Sequence, residues 1–491
     1  MKPVCRERTT FALFIWLTLV FLIWIPGQYL LHINIWHDIC TEEERAERGL
    51  NFRNEETMEK IGGSSQQYKV SRSELIPFVF VRNRNKFEAL FRDHESSNKL
   101  PEDFSSRDEL FKSHDANKTY KPWERFHRDI NRYQLYSYNN TEMMTSLMTY
   151  LNEAPIKICQ QMPGGTQIKL NITFQDGGQA LMKPWRVPRE FETLPNHYFF
   201  ADIERHTSEI AAFHLDRILD FRRVPPTFGR IFNITSEIRP HANGKAFKKS
   251  FFKSPANNTC FMTECRQYCE LSKTPVCGKP DRVEGSVQSY LPFELEVGHR
   301  KTWINPFKRA YRLARGGAIW EDDPSYCHTV VMQKPPFNRG RRLLDIVDLA
   351  IFDFLIDNFD RHNYNTLRIF NNFTSTIHYD HGRAFGRYKE DDILALAALK
   401  QCCILRNSTY QRLLLLDKDE YKLGDVMRES LSLDPIAPVL YEPHYDALNR
   451  RLGIVIKEVK RCIEHSESES DVLKAEPTLA EYLRSIKPHN D

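Results

Sequence analysis

Residues 344–365 read LDIVDLAIFDFLIDNFDRHNYN. Leu344, Val347, Ile351, Phe354 and Leu355 recur at helical spacing, which predicts a largely buried helix ending near Asn358. A polar run follows directly, Asp360-Arg361-His362-Asn363-Tyr364-Asn365, and a short strand expected over Ser375–Tyr379 then delivers Asp380-His381-Gly382. Upstream, Ile168, Leu170, Ile172 and Phe174 alternate with Gln167, Lys169, Asn171 and Thr173, Asp176-Gly177-Gly178 supplies a turn, and Gln179 to Lys183 returns. This β-hairpin carries Lys169 and Lys183. From Asp202 to Phe221 the apolar positions Ala211, Leu215, Ile218 and Phe221 predict a helix with Glu204 in its first turn.

The order is therefore a lysine-bearing hairpin, a glutamate-bearing helix, a buried helix, Asp-x-x-x-x-Asn, a strand and Asp-x-Gly. It resembles the sequence of parts in a protein kinase. Transfer of a γ-phosphoryl group needs phosphates held by cations, metal held by acids and a base at the acceptor hydroxyl. Lys183 suits the phosphates, and Glu204 suits either an ion pair with that lysine or a metal. Asp360 suits the acceptor, Asp380 the metal, and Asn365, five residues after Asp360, the place of the second metal ligand. Each residue alone has a plainer reading. A strand lysine is ordinarily solvated, a first-turn glutamate ordinarily serves the helix dipole, and Asp360-Arg361 reads equally as a structural ion pair. His362 reads as a satisfied buried histidine and Tyr364 as packing. The order of the parts, not any one of them, carries the inference.

The chain has 491 residues, 41% hydrophobic and 27% charged, enough for a sizeable core. Its 69 basic and 65 acidic residues leave a net charge of +4 with no long basic run, which argues against nucleic acid as a partner. An apolar stretch from Phe11 to Ile25 follows Lys2, Arg6 and Arg8 and is interrupted at Pro26. Positions 10–36 are expected to be a type II signal anchor behind a cytoplasmic tail at 1–9, with a cleaved signal peptide as the alternative. Either places the rest in the lumen of the secretory pathway. Residues 37–122, as in Thr-Glu-Glu-Glu-Arg at 41–45, are expected to be a polar stem, 123–465 the folded domain, and 466–491 a polar tail.

Sequons at Asn117, Asn139, Asn233, Asn257, Asn372 and Asn407 agree with that compartment, while the one at Asn171 lies in an expected strand. Of 11 cysteines, eight follow residue 250: Cys260, Cys265, Cys269, Cys277, Cys327, Cys402, Cys403 and Cys462. An even set in a lumenal chain suggests disulfides. The first four have gaps of 5, 4 and 8 and no histidine among them, unlike the paired spacing of a zinc ribbon.

Asp360-Arg361-His362, Asp380-x-Gly382-Arg383-x-Phe385-Gly386, Gln401-Cys402-Cys403, Ile210 to Arg217 and Ser254-Pro255-Ala256-Asn257-Asn258-x-Cys260 together resemble the Golgi casein kinase family, the family with sequence similarity twenty, over roughly residues 123–465. The resemblance implies an α+β, atypical bilobal, disulfide-stapled kinase fold, with a small β-rich lobe to about residue 292 and a larger helical lobe after it. It implies ATP with manganese, magnesium being the other metal, and Ser-x-Glu sites of secreted or Golgi-transiting proteins as substrates. By motif, Gln167, Lys169 and Lys183 would contact phosphates, Gln288-Ser289-Tyr290-Leu291 would face adenine, Glu204 and Asp380 would hold metal, and Asp360 would be the catalytic acid/base. Family pairing would join Cys260 to Cys277 and Cys265 to Cys269, and tie Cys327 and Cys462 each to one of Cys402 and Cys403. It further implies Golgi membrane or secreted localisation and a homodimer, or a heterodimer with a related pseudokinase.

Two departures accompany the likeness. Active relatives carry Glu at the position of Asn365 and His at that of Asn363, and Asp-His-Gly replaces Asp-Asn-Gly. A neutral oxygen at Asn365 attracts metal less than a carboxylate, yet it is the residue ordinary kinases use, so activity is expected to survive. The rival functions are a glycosaminoglycan xylose kinase, whose members tend to carry Asp at the position of Glu204, and a pseudokinase that activates a partner and lacks that acid.

Overall fold

The computed structural model describes residues 86–97, 119–138, 140–162, 167–194, 202–262, 275–292, 300–309, 317–358 and 360–486. The expected signal anchor at 10–36 lies outside them, and among the described residues no helix is long and apolar enough to cross a membrane.

Three helices open the described chain: α1 (Lys86–Asp93), α2 (Pro122–Asp129) and α3 (Thr141–Glu153). Strand β1 (Ile156–Gln161) follows, and the expected hairpin is β2 (Leu170–Phe174) with β3 (Gln179–Pro184), antiparallel with Leu170 opposite Met182. Gly177 turns the chain at φ +97°, where a side chain would be strained. The Asp176 carboxylate accepts from Tyr150 Oη at 2.5 Å and Trp123 Nε1 at 3.2 Å, pinning the turn to α2 and α3. Helix α4 (His206–Ile218) crosses next, then β4 (Thr227–Asn233), β5 (Ala242–Asn243), a small sheet of β6 (Phe252–Lys253), β7 (Thr259–Phe261) and β8 (Val276–Cys277), and β9 (Arg282–Ser289). The main sheet has the order β4-β9-β3-β2-β1-β5, so β9, which ends the small lobe, lies beside the lysine-bearing β3.

The larger lobe is mostly helical. Strand β10 (Arg300–Ile304) pairs with β11 (Asn363–Leu367) around the buried helix α5 (Arg342–Leu355). After them come α6 (Ala397–Cys402), β12 (Leu405–Arg406), α7 (Asn407–Leu416), α8 (Leu423–Leu431), α9 (Pro443–Glu464), β13 (Leu473–Lys474) and α10 (Leu479–Ile486). The strand expected over Ser375–Tyr379 is reduced to one bridge, Asn365 with Ile377, because the segment is buried among helices and has no second strand to pair with beyond that point.

The disulfides settle the pairing. Cys260 joins Cys277 across β7 and β8, Cys327 joins Cys402, and Cys403 joins Cys462. Cys403 ends α6 in the left-handed region at φ +48°, which sends the two adjacent side chains apart, one toward Cys327 and the other toward α9. Closing loops of 75 and 59 residues restricts the unfolded chain by about 4 kcal/mol each in the chain-entropy account. Cys265 and Cys269 lie outside the described residues. So do the sequons Asn117 and Asn139. Asn257, Asn372 and Asn407 are exposed, whereas the Asn233 carboxamide is engaged on both sides, accepting from Ser236 N and donating to Asp281 at 2.9 Å.

Parts of two expected spacers are folded. Within the expected stem, α1 buries Phe87 and Leu90, and its first N–H groups, of Lys86 and Phe87, donate to Glu429 at 2.8 and 2.9 Å. Eight residues are too few for periodicity to stand out from a polar surround. The expected tail packs too: β13 pairs in parallel with β12, and Glu476 accepts from Arg406 Nε and lies 3.3 Å from Arg341 Nη1. There it joins a buried network in which Asp345 and Asp348 of α5 bind Arg223, Arg341 and Arg406. Removing one partner of such a network leaves a buried charge uncompensated. Glu476→Ala should cost roughly 2 to 4 kcal/mol in denaturant unfolding with an unchanged slope.

Candidate active site

Along β3 the pleat sends Met182 into the core and Lys183 the other way, beneath α4. Lys183 is 6% exposed, and its ammonium meets Glu209 at 2.5 Å, Glu204 at 2.8 Å and Asp380 at 3.0 Å. Burial alone would lower the Lys183 pKa, but Glu204, Glu209 and Asp380 hold it well above the ordinary value. Burial would likewise raise Glu209, yet Lys183 and the neighbouring His381 bring it down to about 2. Lys183 is the main reason that Asp380 lies far below the usual carboxylate range. Carboxylate oxygens of Glu204, Glu209 and Asp380 lie within 4.8 Å of one another. Three carboxylates against one ammonium leave a surplus of negative charge. With Asp380's side chain 62% exposed and Glu204 beside it, the donor set fits a hard divalent cation.

Backbone contacts fix this geometry. Asp380 sits at φ +66°, a conformation uncommon for a residue with a side chain and typical of functional turns. Arg205 N donates to Gly382 O at 2.6 Å, and His381 N donates to Glu209 Oε1 at 3.0 Å. A Cβ on Gly382 would stand 2.7 Å from Glu204 Cγ, so only glycine lets the two segments meet. The His381 ring is fully buried 3.4 Å from Glu209, and burial lowers its pKa, keeping it neutral.

Asp360 is held from the other side. Its carboxylate accepts from Arg383 Nη1, and His362 Nδ1 lies 2.9 Å from its carbonyl; the Asp360 side chain and carbonyl raise the His362 pKa. Arg361 pairs with Asp353, not with Asp360, at 2.8 and 3.0 Å, and also donates to Tyr379 O. It thereby couples the Asp360 segment to the residue before Asp380. The His362 side chain is 44% exposed, unlike a core histidine, whereas Tyr364 is packing, buried with the Arg342 guanidinium 5.5 Å from its ring.

A cleft of about 200 Å³ opens over Lys183 and is lined by Lys169, Gln288, Ser289, Tyr290, Leu291, Glu209 and Asp380 among others. Gln288 donates to Thr227 Oγ1, Ser289 N to Pro226 O, and Tyr290 O lies 2.8 Å from His127 Nε2. Leu291 is left as the position whose backbone N–H and C=O make no hydrogen bond to a described residue. Four expected residues are not among those lining it: Glu204 meets it through Lys183, Asp360 is held by Arg383, and two stand further aside. Gln167 reaches Asp202 O at 3.5 Å, and Asn365, on β11, accepts from Thr302 Oγ1 at 2.8 Å. Asn365 does not line the cleft, because pairing with β10 turns its carboxamide toward that strand.

Residues 121–471 match the family model described as Golgi casein kinase, C-terminal, Fam20. The chain belongs to the Fam20 family. It is 51% identical over 348 residues to the extracellular serine/threonine protein kinase FAM20C of Homo sapiens, covering 71% of this chain and 59% of that one. It is 44% identical over 362 residues to the pseudokinase FAM20A of Mus musculus, covering 70% and 66%. A crystal structure of the Golgi casein kinase with Mn/ADP bound superposes with a TM-score of 0.70 at 39% identity, over 84% of this chain and 96% of that one. The fold is thus the Fam20 kinase fold, α+β with its disulfide staples.

Within this Fam20 domain, sequence reasoning placed Glu204 in the first turn of α4, but the helix starts at His206 and its first-turn acid is Glu209. Glu204 lies in the extended approach to the helix. Glu209, between Ser208 and Ile210, carried no motif. Arg300 and Tyr379, hydrogen-bonded to each other in the cleft, carried no motif. The depressed pKa of Glu209 gives a pH test. Its stabilisation is complete above the unfolded value of 4.5 and drains as pH falls toward the folded value of about 2. Between about pH 5 and pH 2, wild-type stability should fall by on the order of 2 to 3 kcal/mol more than that of Glu209→Gln, measured by denaturant unfolding at each pH.

Proposed function

We propose that this chain is a serine/threonine protein kinase of the secretory pathway that transfers the ATP γ-phosphoryl group to Ser-x-Glu sites of secreted proteins, with manganese or magnesium. The observation that carries this reading is the convergence of Glu204, Glu209 and Asp380 on Lys183, at the floor of the cleft, from segments up to 197 residues apart. The aligned segment spans 59% of the length of the human FAM20C relative, so activity, substrates and partners are inferences for this chain.

In this reading Lys183 and Lys169 bind the phosphates, Glu204 and Asp380 hold the metal, and Gln288 to Leu291 line the adenine side, with the Leu291 backbone open to the base. A bound divalent cation supplies neutralising charge at the transferring group. Asp360, oriented by Arg383, takes the proton from the acceptor hydroxyl as its oxygen bonds to the γ-phosphorus and the bond to the β-bridging oxygen breaks, releasing ADP. Asn365 joins the metal only by giving up its bond to Thr302. The N-terminal apolar run and the disulfides support a Golgi or secreted location with the kinase domain in the lumen. A homodimer, or a heterodimer with a pseudokinase relative such as FAM20A, belongs to the same reading. Retention of acids at Glu204, Glu209, Asp360 and Asp380 supports catalysis over a pseudokinase role.

On a Ser-x-Glu peptide, Asp360→Asn and Asp380→Ala should each lower kcat/KM by about 10³-fold or more, with circular dichroism unchanged. Phosphate appearing only on a xylosylated linker, or activity surviving both changes, would overturn the reading.

A further inference from the structure

A cavity between α1, α3, α4 and α8 shares no lining residue with the active-site cleft. Its volume is about 400 Å³, within the ~300–1,000 Å³ of small-molecule sites. Phe87 and Phe91 from α1, Met144 and Met148 from α3, and Phe228 from β4 give it an apolar side, and Thr141 and Thr145 of α3 add hydroxyls.

Two polar groups of α4 face it. His214 is 4% exposed; its Nδ1 lies 2.7 Å from Ser430 Oγ, and its Nε2 has no hydrogen-bond partner. Burial, aided by Arg217, brings its pKa down to about 3, so the ring is neutral. Whichever of Nδ1 and Ser430 Oγ donates, Nε2 is a buried polar atom left unsatisfied, and a carboxylate oxygen bound there selects the tautomer with the proton on Nε2. Arg217, three residues along the same helix, lies over the rings of Phe87, Phe91 and Phe213 at 5.7 to 6.0 Å. Its guanidinium donates no hydrogen bond to any described carboxylate or carbonyl, although it remains charged. Tyr136 holds the nearby Asp216 carboxylate, which also accepts from the backbone at Arg223 and Val224. Glu88 and Arg92 of α1 contribute one charge of each sign to the wall.

A cation and an unsatisfied imidazole nitrogen on one helix, beside a wall of phenylalanine and methionine side chains and with the Glu88 and Arg92 charges offsetting each other, are complementary to a ligand with one anionic, two-oxygen end and a hydrocarbon remainder. We propose that this cavity binds a small amphiphilic carboxylate, its head on Arg217 and His214 Nε2 and its alkyl chain along Met144, Met148 and Phe228.

The test is calorimetric titration of the folded chain with decanoate below its micellar range, and in parallel with 1-decanol. Saturable one-to-one binding of decanoate is expected. Arg217→Met should weaken it about tenfold or more, the worth of one charge-assisted hydrogen bond, while leaving decanol binding unchanged. Absence of saturable decanoate binding, equal affinity of the wild type for decanoate and decanol, or equal decanoate affinity of wild type and Arg217→Met would each overturn the proposal. Should Arg217→Met fail to fold, the decanoate-to-decanol ratio on the wild type decides. Met148→Trp, which fills the chamber from the opposite wall, must then abolish binding of both.

Discussion

One buried ammonium shared by three carboxylates is the constraint on which the rest depends. A lysine that is 6% exposed pays heavily in lost hydration unless opposite charge surrounds it, and three acids whose oxygens lie within 4.8 Å would repel one another without that lysine. Lys183, Glu204, Glu209 and Asp380 therefore define each other's positions. Because they come from a strand, the approach to a helix, that helix and a turn, their mutual attraction also brings the two lobes into register.

The scaffold serves that convergence. The hairpin turn is anchored by Asp176 to Tyr150 and Trp123, which fixes β3 and hence Lys183. Gly382 allows the Asp-x-Gly turn to lie against Glu204, and Arg361 binds Asp353 and Tyr379 O, so the Asp360 segment and Asp380 move as one unit. Disulfides close the larger lobe behind them, and the buried arginine–carboxylate network of α5 ties in the C-terminal segment through Glu476. The charge surplus that invites a metal is thus held open by a frame whose own charges are paired.

Much of this was legible in the sequence because it was written in strong periodicity or in chemistry at fixed spacing. Alternation at 168–174 gave the hairpin, and the apolar repeat at 344–355 gave the buried helix. What was not legible depended on tertiary geometry. Glu204 and Glu209 differ by five residues, and only the true start of α4 distinguishes an acid before the helix from one within it. Asn365 satisfied the kinase spacing, yet strand pairing engages its side chain with Thr302. Cys402 and Cys403 were interchangeable until the left-handed backbone at Cys403 separated them. Residues 86–93 and 473–476 looked like spacer because a few apolar or charged residues in a polar surround give no period, although each finds a buried partner.

The central claim is that the Lys183 cluster is the place where metal and nucleotide phosphates meet. Diffraction at the manganese absorption edge from crystals grown with manganese and ADP addresses it directly. The account predicts an anomalous peak in contact with the carboxylates of Asp380 and Glu204, with phosphate density reaching Lys183. A principal peak elsewhere on the chain, or nucleotide density away from the cleft between Leu291 and Asp380, would contradict it.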